Sequence, residues 1–222
     1  AKPDLSNVIF WGASEGGFGA LWAERYRPSY APLFQTVGVV AAIPPTNLLG
    51  IADKAVSVLS QSTPALTAVL VGMDEWYKSN DIEAFLAPHL VDIIPNEMRE
   101  SCSDFPSVEN AESFTDFYSS QFIEAVENQN WSAIETQHCQ LRENSLVYSH
   151  VPLYDQTPTL IVTAEKDDLA WPEPVHQDIS LLCEQGYAIQ HIQCADADHV
   201  AGAVETLPLQ LNWIQERIVG QP

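Results

Sequence analysis

An apolar run, Asn7-Val8-Ile9-Phe10-Trp11, breaks at Gly12 and gives way almost at once to a helical pattern. Few folds accommodate so abrupt a turn from strand to helix. The run suits a strand buried on both faces of a parallel sheet. The small residues Gly16, Gly17, Gly19 and Ala20 permit close helix-to-sheet approach, and Pro28 is expected to end the helix. Thr36 to Ile43 then reads as a second buried strand closed by Pro44-Pro45, which completes a β-α-β unit.

At the turn lies Gly12-Ala13-Ser14-Glu15-Gly16, a G-x-S-x-G sequence. Between strand and helix, this pattern places a serine on a strained turn, where glycines remove Cβ atoms that would clash and the hydroxyl stands above the sheet edge. Ser14 is the candidate nucleophile, and the backbone N–H of Glu15, at the helix N-terminus, is a candidate oxyanion-hole donor.

A serine hydroxyl needs a base, so a histidine must return to the same edge. Of the six histidines, His199 follows the last expected strand, Ala188 to Cys194, and precedes a closing amphipathic helix marked by Leu207, Leu211, Ile214 and Ile218. His89, His138 and His150 fall in or beside an inserted segment, while His176 and His191 fall inside an expected helix and strand. All five are expected to be surface or satisfied histidines. The acid is expected in the loop after the strand Thr159 to Thr163, which offers Glu165, Asp167 and Asp168. Asp167 is preferred and Asp168 is its competitor. The resulting order, Ser then Asp then His, is that of the α/β-hydrolases. Asp196-Ala197-Asp198-His199 also permits a metal reading, but one histidine with two loop carboxylates is a thin ligand set. No metal or cofactor is expected.

The expected architecture is an α/β-hydrolase fold, a mostly parallel sheet flanked by helices, with a helical cap or lid inserted. Residues 1–80 and 151–222 would form the core and 81–150 the cap. The inserted segment is acidic, rich in Asn, Gln and Ser, and studded with aromatics. Phe114, Phe117, Tyr118, Phe122 and Ile123 recur at helical spacing, which favours core packing over a ligand box. The same aromatics also raise the prospect of an apolar acyl pocket. Residues 52–73 read as helix broken at Pro64.

Composition narrows the partners. The net charge is −21, from 30 acidic against 9 basic residues, so the surface repels nucleic acid and anionic membranes. No stretch approaches the roughly 18 to 20 apolar residues of a membrane span, and residues 1–7 carry no signal-peptide pattern. Cys102, Cys139, Cys183 and Cys194 allow three pairings. Locality favours 102 with 139 and 183 with 194, which implies an oxidising compartment and a secreted or periplasmic protein; four free thiols are the alternative.

Ser14-Glu15-Gly16-Gly17-Phe18-Gly19-Ala20-Leu21-Trp22-Ala23-Glu24, then Ser29-Tyr30-Ala31-Pro32, Val37 to Ala42 and Pro44-Pro45-Thr46-Asn47-Leu48, resembles the secretory lipase family of α/β-hydrolases. The similarity resumes at Pro158 to Asp168, Leu182 to Gly186, Asp198-His199 and Asn212-Trp213-Ile214. It implies hydrolysis of acylglycerols or other lipophilic esters through Ser14, Asp167 and His199, beneath a helical lid. The sequence departs from the family at Ala164, usually glycine, and at Ala170-Trp171-Pro172, where Val-Pro is common. An amide hydrolase with the same three residues and a non-catalytic binding protein of this fold are the alternatives. In such a fold the nucleophile strand is the fifth. The expectation is therefore an upstream segment or companion chain that completes the sheet and supplies a second oxyanion donor, each donor being worth roughly 2.7 to 4 kcal/mol.

Overall fold

The computed structural model describes residues 5–101 and 105–220. Two compact units divide it, one formed by Ala1–Asn47 with Ser145–Pro222 and the other by Leu48–Asn144.

The first unit is built on a four-stranded parallel sheet in the order β1-β2-β3-β4, with β1 at Val8–Ala13, β2 at Thr36–Ala42, β3 at Pro158–Ala164 and β4 at Ala188–Cys194. Because every pair is parallel, Ala13, Ala42, Ala164 and Cys194 end at one edge of the sheet, and the loops that follow them share that edge. Helix α1 (Glu15–Tyr30) lies between β1 and β2. It does not stop at Pro28: the proline sits in the last turn, and the chain is capped beyond it by Ala31 N–H donating to the Arg27 carbonyl at 2.7 Å. A proline in a final turn costs the ring clash and one hydrogen bond but leaves few residues to disrupt.

Apolar side chains on one sheet face, Val39, Ala41 and Ile161, pack with Ala20 and Leu21 of α1 and with Leu146 and Val147. On the other face, Val40, Leu160, Val162 and Ala164 pack with Trp213 of the closing helix. Both faces of β2 and β3 are covered, which is why those strands read as continuous apolar runs. Arg25 and Arg27 of α1 are buried because they clamp the segment leading into β3. Arg25 donates to the Val151 carbonyl and the Tyr187 hydroxyl, each at 2.6 Å, and Arg27 pairs with Glu24 and Asp155. The remaining helices of this unit are α7 (Pro172–Glu184), α8 (His199–Glu205) and α9 (Leu207–Ile218).

The second unit is helical: α2 (Leu48–Ala55), α3 (Ser62–Tyr77), α4 (Ile94–Glu100), α5 (Ser120–Glu127) and α6 (Glu135–Glu143), joined by short 3-10 turns. It begins at Leu48 rather than at residue 81. Leu48, Ile51, Ala52, Leu66 and Leu70 on α2 and α3 bury their apolar faces with Phe85, Leu90, Phe122 and Leu141, so these helices share one core. Pro64 lies in the first turn of α3, where its missing N–H costs nothing, and the break precedes it. Phe117, Tyr118 and Phe122 are core residues, with the Tyr118 hydroxyl donating to the Thr63 carbonyl at 2.6 Å.

The expected disulfide between Cys183 and Cys194 is not formed; both are free thiols, as is Cys139. Cys183 is near the end of α7, just before β4 begins, whereas Cys194 closes that strand. A seven-residue strand carries the two apart by roughly 20 Å, and a bridge needs Cα atoms within about 7 Å. Cys102, the partner expected for Cys139, lies outside the described residues.

Candidate active site

Ser14 is the first residue after β1, and its backbone sits at φ 56°, ψ −124°, an arrangement costing on the order of 1 to 3 kcal/mol. Two features hold it there. Its N–H donates to the Ala42 carbonyl at 2.8 Å, tying the turn to β2, and its carbonyl accepts from Phe18 N–H at 3.0 Å, starting α1. Gly12 makes the turn possible, since a Cβ there would lie 2.2 Å from the Gly16 carbonyl oxygen. The second glycine with a steric task is Gly17, whose Cβ would stand 3.0 Å from the Ala42 carbonyl, not Gly16 or Gly19, where a Cβ would meet open space. Glu15 opens α1, so its N–H has no acceptor within the helix.

His199 arrives from the far side of the sheet. Asp198 accepts from Ala201 N–H at 2.8 Å and caps α8, which fixes the Asp-His step at the helix start. The helix then presses onto β3 at Gly202, where a Cβ would come within 2.5 Å of the Ala164 Cβ. This contact was not read from the sequence; a glycine three residues after the candidate base, facing a strand that ends in alanine, is the signal that could have revealed it. With α8 so placed, His199 Nε2 lies 2.8 Å from Ser14 Oγ.

Asp167 completes the line. Its carboxylate is 2.8 and 2.9 Å from His199 Nδ1, and it is 2% exposed. Its Oδ1 also accepts from the N–H groups of Leu169 and Ala170, at 2.9 and 2.8 Å, which lock the carboxylate in the turn after β3. Asp168, the competing carboxylate, is half-buried in the same turn. Asp167, His199 and Ser14 thus form a continuous hydrogen-bonded chain along the carboxyl edge of the sheet, an arrangement that can move a proton from a serine hydroxyl to an imidazole and steady the resulting cation.

The other acids near His199 have different tasks. Asp196 pairs with Lys166 at 2.9 Å, and Glu165 accepts from Asp196 N–H at 2.8 Å. Among the remaining histidines, His138 stacks on Trp131 at 4.7 Å, while His176 and His191 both meet Thr163.

No curated protein sequence is significantly similar to this chain. Solved structures share its fold. Lipase A from Candida antarctica, in its closed state, superposes with a TM-score of 0.72 at 18% identity, covering 99% of this chain and 51% of that one. A putative hydrolase from Legionella pneumophila gives 0.79 at 15%, covering 98% and 58%. The rice cell wall degrading esterase LipA from Xanthomonas oryzae, in a ligand-bound form, gives 0.65 at 13%, covering 96% and 57%. The chain therefore spans between half and three-fifths of these relatives, and none of them supports a separate companion chain. The architecture is that of an α/β-hydrolase. The secretory lipase family model matches residues 3–222, and the chain belongs to that family.

Proposed function

We propose that this chain carries the hydrolytic centre of a serine esterase acting on lipophilic acyl esters. The observation that supports this best is the hydrogen-bonded line from Asp167 through His199 to Ser14, with both links at 2.8 to 2.9 Å. Ser14 Oγ attacks the ester carbonyl as His199 Nε2 takes its proton. Asp167 holds the ring by Nδ1 and stabilises the imidazolium. The Glu15 N–H donates to the oxyanion, helped by its place at the N-terminus of α1. Collapse of the tetrahedral intermediate expels the alcohol, which takes the proton back from His199, and leaves an acyl group on Ser14. Water, deprotonated by the same imidazole, then releases the acid.

The ester substrate follows from the family, whose name also favours a secreted protein. No helix among the described residues is long and apolar enough to cross a membrane.

The test is labelling by a fluorophosphonate with peptide mass mapping, alongside turnover of p-nitrophenyl esters and the matching anilides. Modification of Ser14, ester turnover well above anilide turnover, and loss of both in a folded Ser14→Ala variant are expected. Ester hydrolysis that survives Ser14→Ala refutes the assignment.

A further inference from the structure

Two histidines outside the proposed hydrolytic line converge on a single oxygen. His176 comes from α7 and His191 from β4, yet both direct Nε2 at the hydroxyl of Thr163 on β3, at 3.2 and 2.9 Å. Their rings stand edge to face, with centroids 4.9 Å apart and planes at 65°. A hydroxyl carries one proton, so it can donate to only one of the two nitrogens; the other must donate to it. The three elements are thus tied through one shared atom.

We propose that His176 and His191, converging on the Thr163 hydroxyl, form a two-histidine binding site for a divalent transition-metal ion of the zinc and copper class. Imidazole nitrogen is a preferred ligand for these ions, which sit about 2.0 to 2.1 Å from it in the case of zinc. The two Nε2 atoms converge from 3.2 and 2.9 Å on Thr163 Oγ1, so an ion held by both would take the place of the shared hydroxyl contact. Binding requires both rings neutral with Nδ1 protonated, a tautomer change that releases no net proton from the neutral pair. Burial, and then the neighbouring His176, hold the His191 imidazole below its ordinary pKa, which favours the neutral form. Thr163 is 2% exposed, whereas His191 is open to solvent, so an ion can enter from the β4 side and fill its remaining positions with water.

Among the described residues no group of three or more His, Cys, Asp or Glu is placed to hold a metal. The site is therefore a two-nitrogen chelate rather than a closed structural zinc centre. Its occupation would pin α7, which follows directly on the Asp167 turn, to β3 and β4.

The experiment is calorimetric titration of the untagged chain with Zn2+ in physiological salt and excess Mg2+, which prefers oxygen ligands and saturates the acidic surface. One saturable equivalent is expected for the wild type, weakened by about tenfold or more in His176→Ala and in His191→Ala, with circular dichroism and ester turnover of the metal-free proteins unchanged. Should either variant fail to fold, electron paramagnetic resonance of wild-type protein loaded with Cu2+ decides the matter, since two-imidazole nitrogen splitting is expected. No saturable Zn2+ binding, undiminished binding in the variants, or a Cu2+ spectrum without two nitrogens would overturn the proposal.

Discussion

Replacing Asp167 by Asn tests the proposed mechanism more sharply than removing any other group, because the surrounding backbone dictates which way the new amide must face. Oδ1 of Asp167 accepts from two N–H groups, those of Leu169 and Ala170, and also stands 2.9 Å from His199 Nδ1, whereas Oδ2 meets only that ring nitrogen, at 2.8 Å. An amide turned with its NH2 toward Leu169 and Ala170 would set donor against donor and forfeit two hydrogen bonds, at about 1 to 3 kcal/mol for each group left unsatisfied. The carbonyl therefore takes the Oδ1 place and the NH2 faces Nδ1. That ring nitrogen then faces an amide donor at 2.8 Å as well as the carbonyl at 2.9 Å, which favours the tautomer with Nδ1 accepting and the proton on Nε2, pointing at Ser14 Oγ from 2.8 Å. An imidazole in this tautomer cannot take the serine proton. Where the same inversion occurs in serine proteases, kcat falls by about 10⁴, and four decades correspond to about 5 kcal/mol of transition-state stabilisation. The assay is kcat for a p-nitrophenyl ester together with the fluorophosphonate labelling rate of Ser14. Asp168→Asn is the control, expected to cost far less than Asp167→Asn, because the carboxylate within hydrogen-bond distance of His199 Nδ1 is that of Asp167. A loss under tenfold in Asp167→Asn, or an equal loss in Asp168→Asn, refutes the reasoning.

Three further outcomes follow from the packing. Gly202→Ala puts a methyl 2.5 Å from the Ala164 Cβ and 3.2 Å from Ile43; overpacking of this kind costs about 1 to 3 kcal/mol, and because His199 rides on the same helix, kcat should fall further than thermal stability explains. Burial pushes Asp178 up to about 7 despite the opposing pull of Thr46 and Asn47. The folded chain then binds a proton that the unfolded chain releases near 4, so this group's stabilising share is present at low pH and is lost as pH rises through 7. Asp178→Asn should accordingly raise the denaturant midpoint at pH 8 relative to wild type, with the advantage vanishing near pH 4; a constant difference would disprove the linkage. Tyr118→Phe removes one hydrogen bond to the Thr63 carbonyl, which still accepts from the Thr67 hydroxyl, and should cost about 0.5 to 1.5 kcal/mol in denaturant unfolding, without altering the labelling rate of Ser14.

The sheet unit was legible because β2 and β3 are buried on both faces and the strands are punctuated by Gly or Pro; Ala188 to Cys194, though exposed along much of its length, emerged with both ends in place, and Gly186, at φ 101°, follows the end of α7. The three candidate side chains were legible for a related reason, since a parallel sheet delivers every post-strand loop to one edge. What escaped was non-local. The membership of α2 and α3 depends on which core their apolar faces join, and periodicity gives a face without naming its partner. Gly202 is invisible until α8 and β3 are set against each other. The cysteines misled because closeness along the chain says little about closeness across a helix-strand return: α7 ends where β4 begins, and Cys194 stands at the other end.

The return of the chain from the helical unit has its own consequence. Leu146 N–H donates to the Thr46 carbonyl at 3.2 Å, so the segment Leu48–Asn144 leaves the sheet unit and rejoins it at nearly one point. For the sheet unit that whole segment is a closed loop, and the entropy of closing a loop grows only logarithmically, about 0.6 kcal/mol for each doubling of length. Insertions, deletions or wholesale exchange between those two anchor points would leave the strand register and the Ser14–His199 distance almost untouched. The arrangement separates two kinds of constraint within one polypeptide: a part held fixed by atom-scale geometry, and a part free to be lengthened, shortened or replaced at little thermodynamic cost.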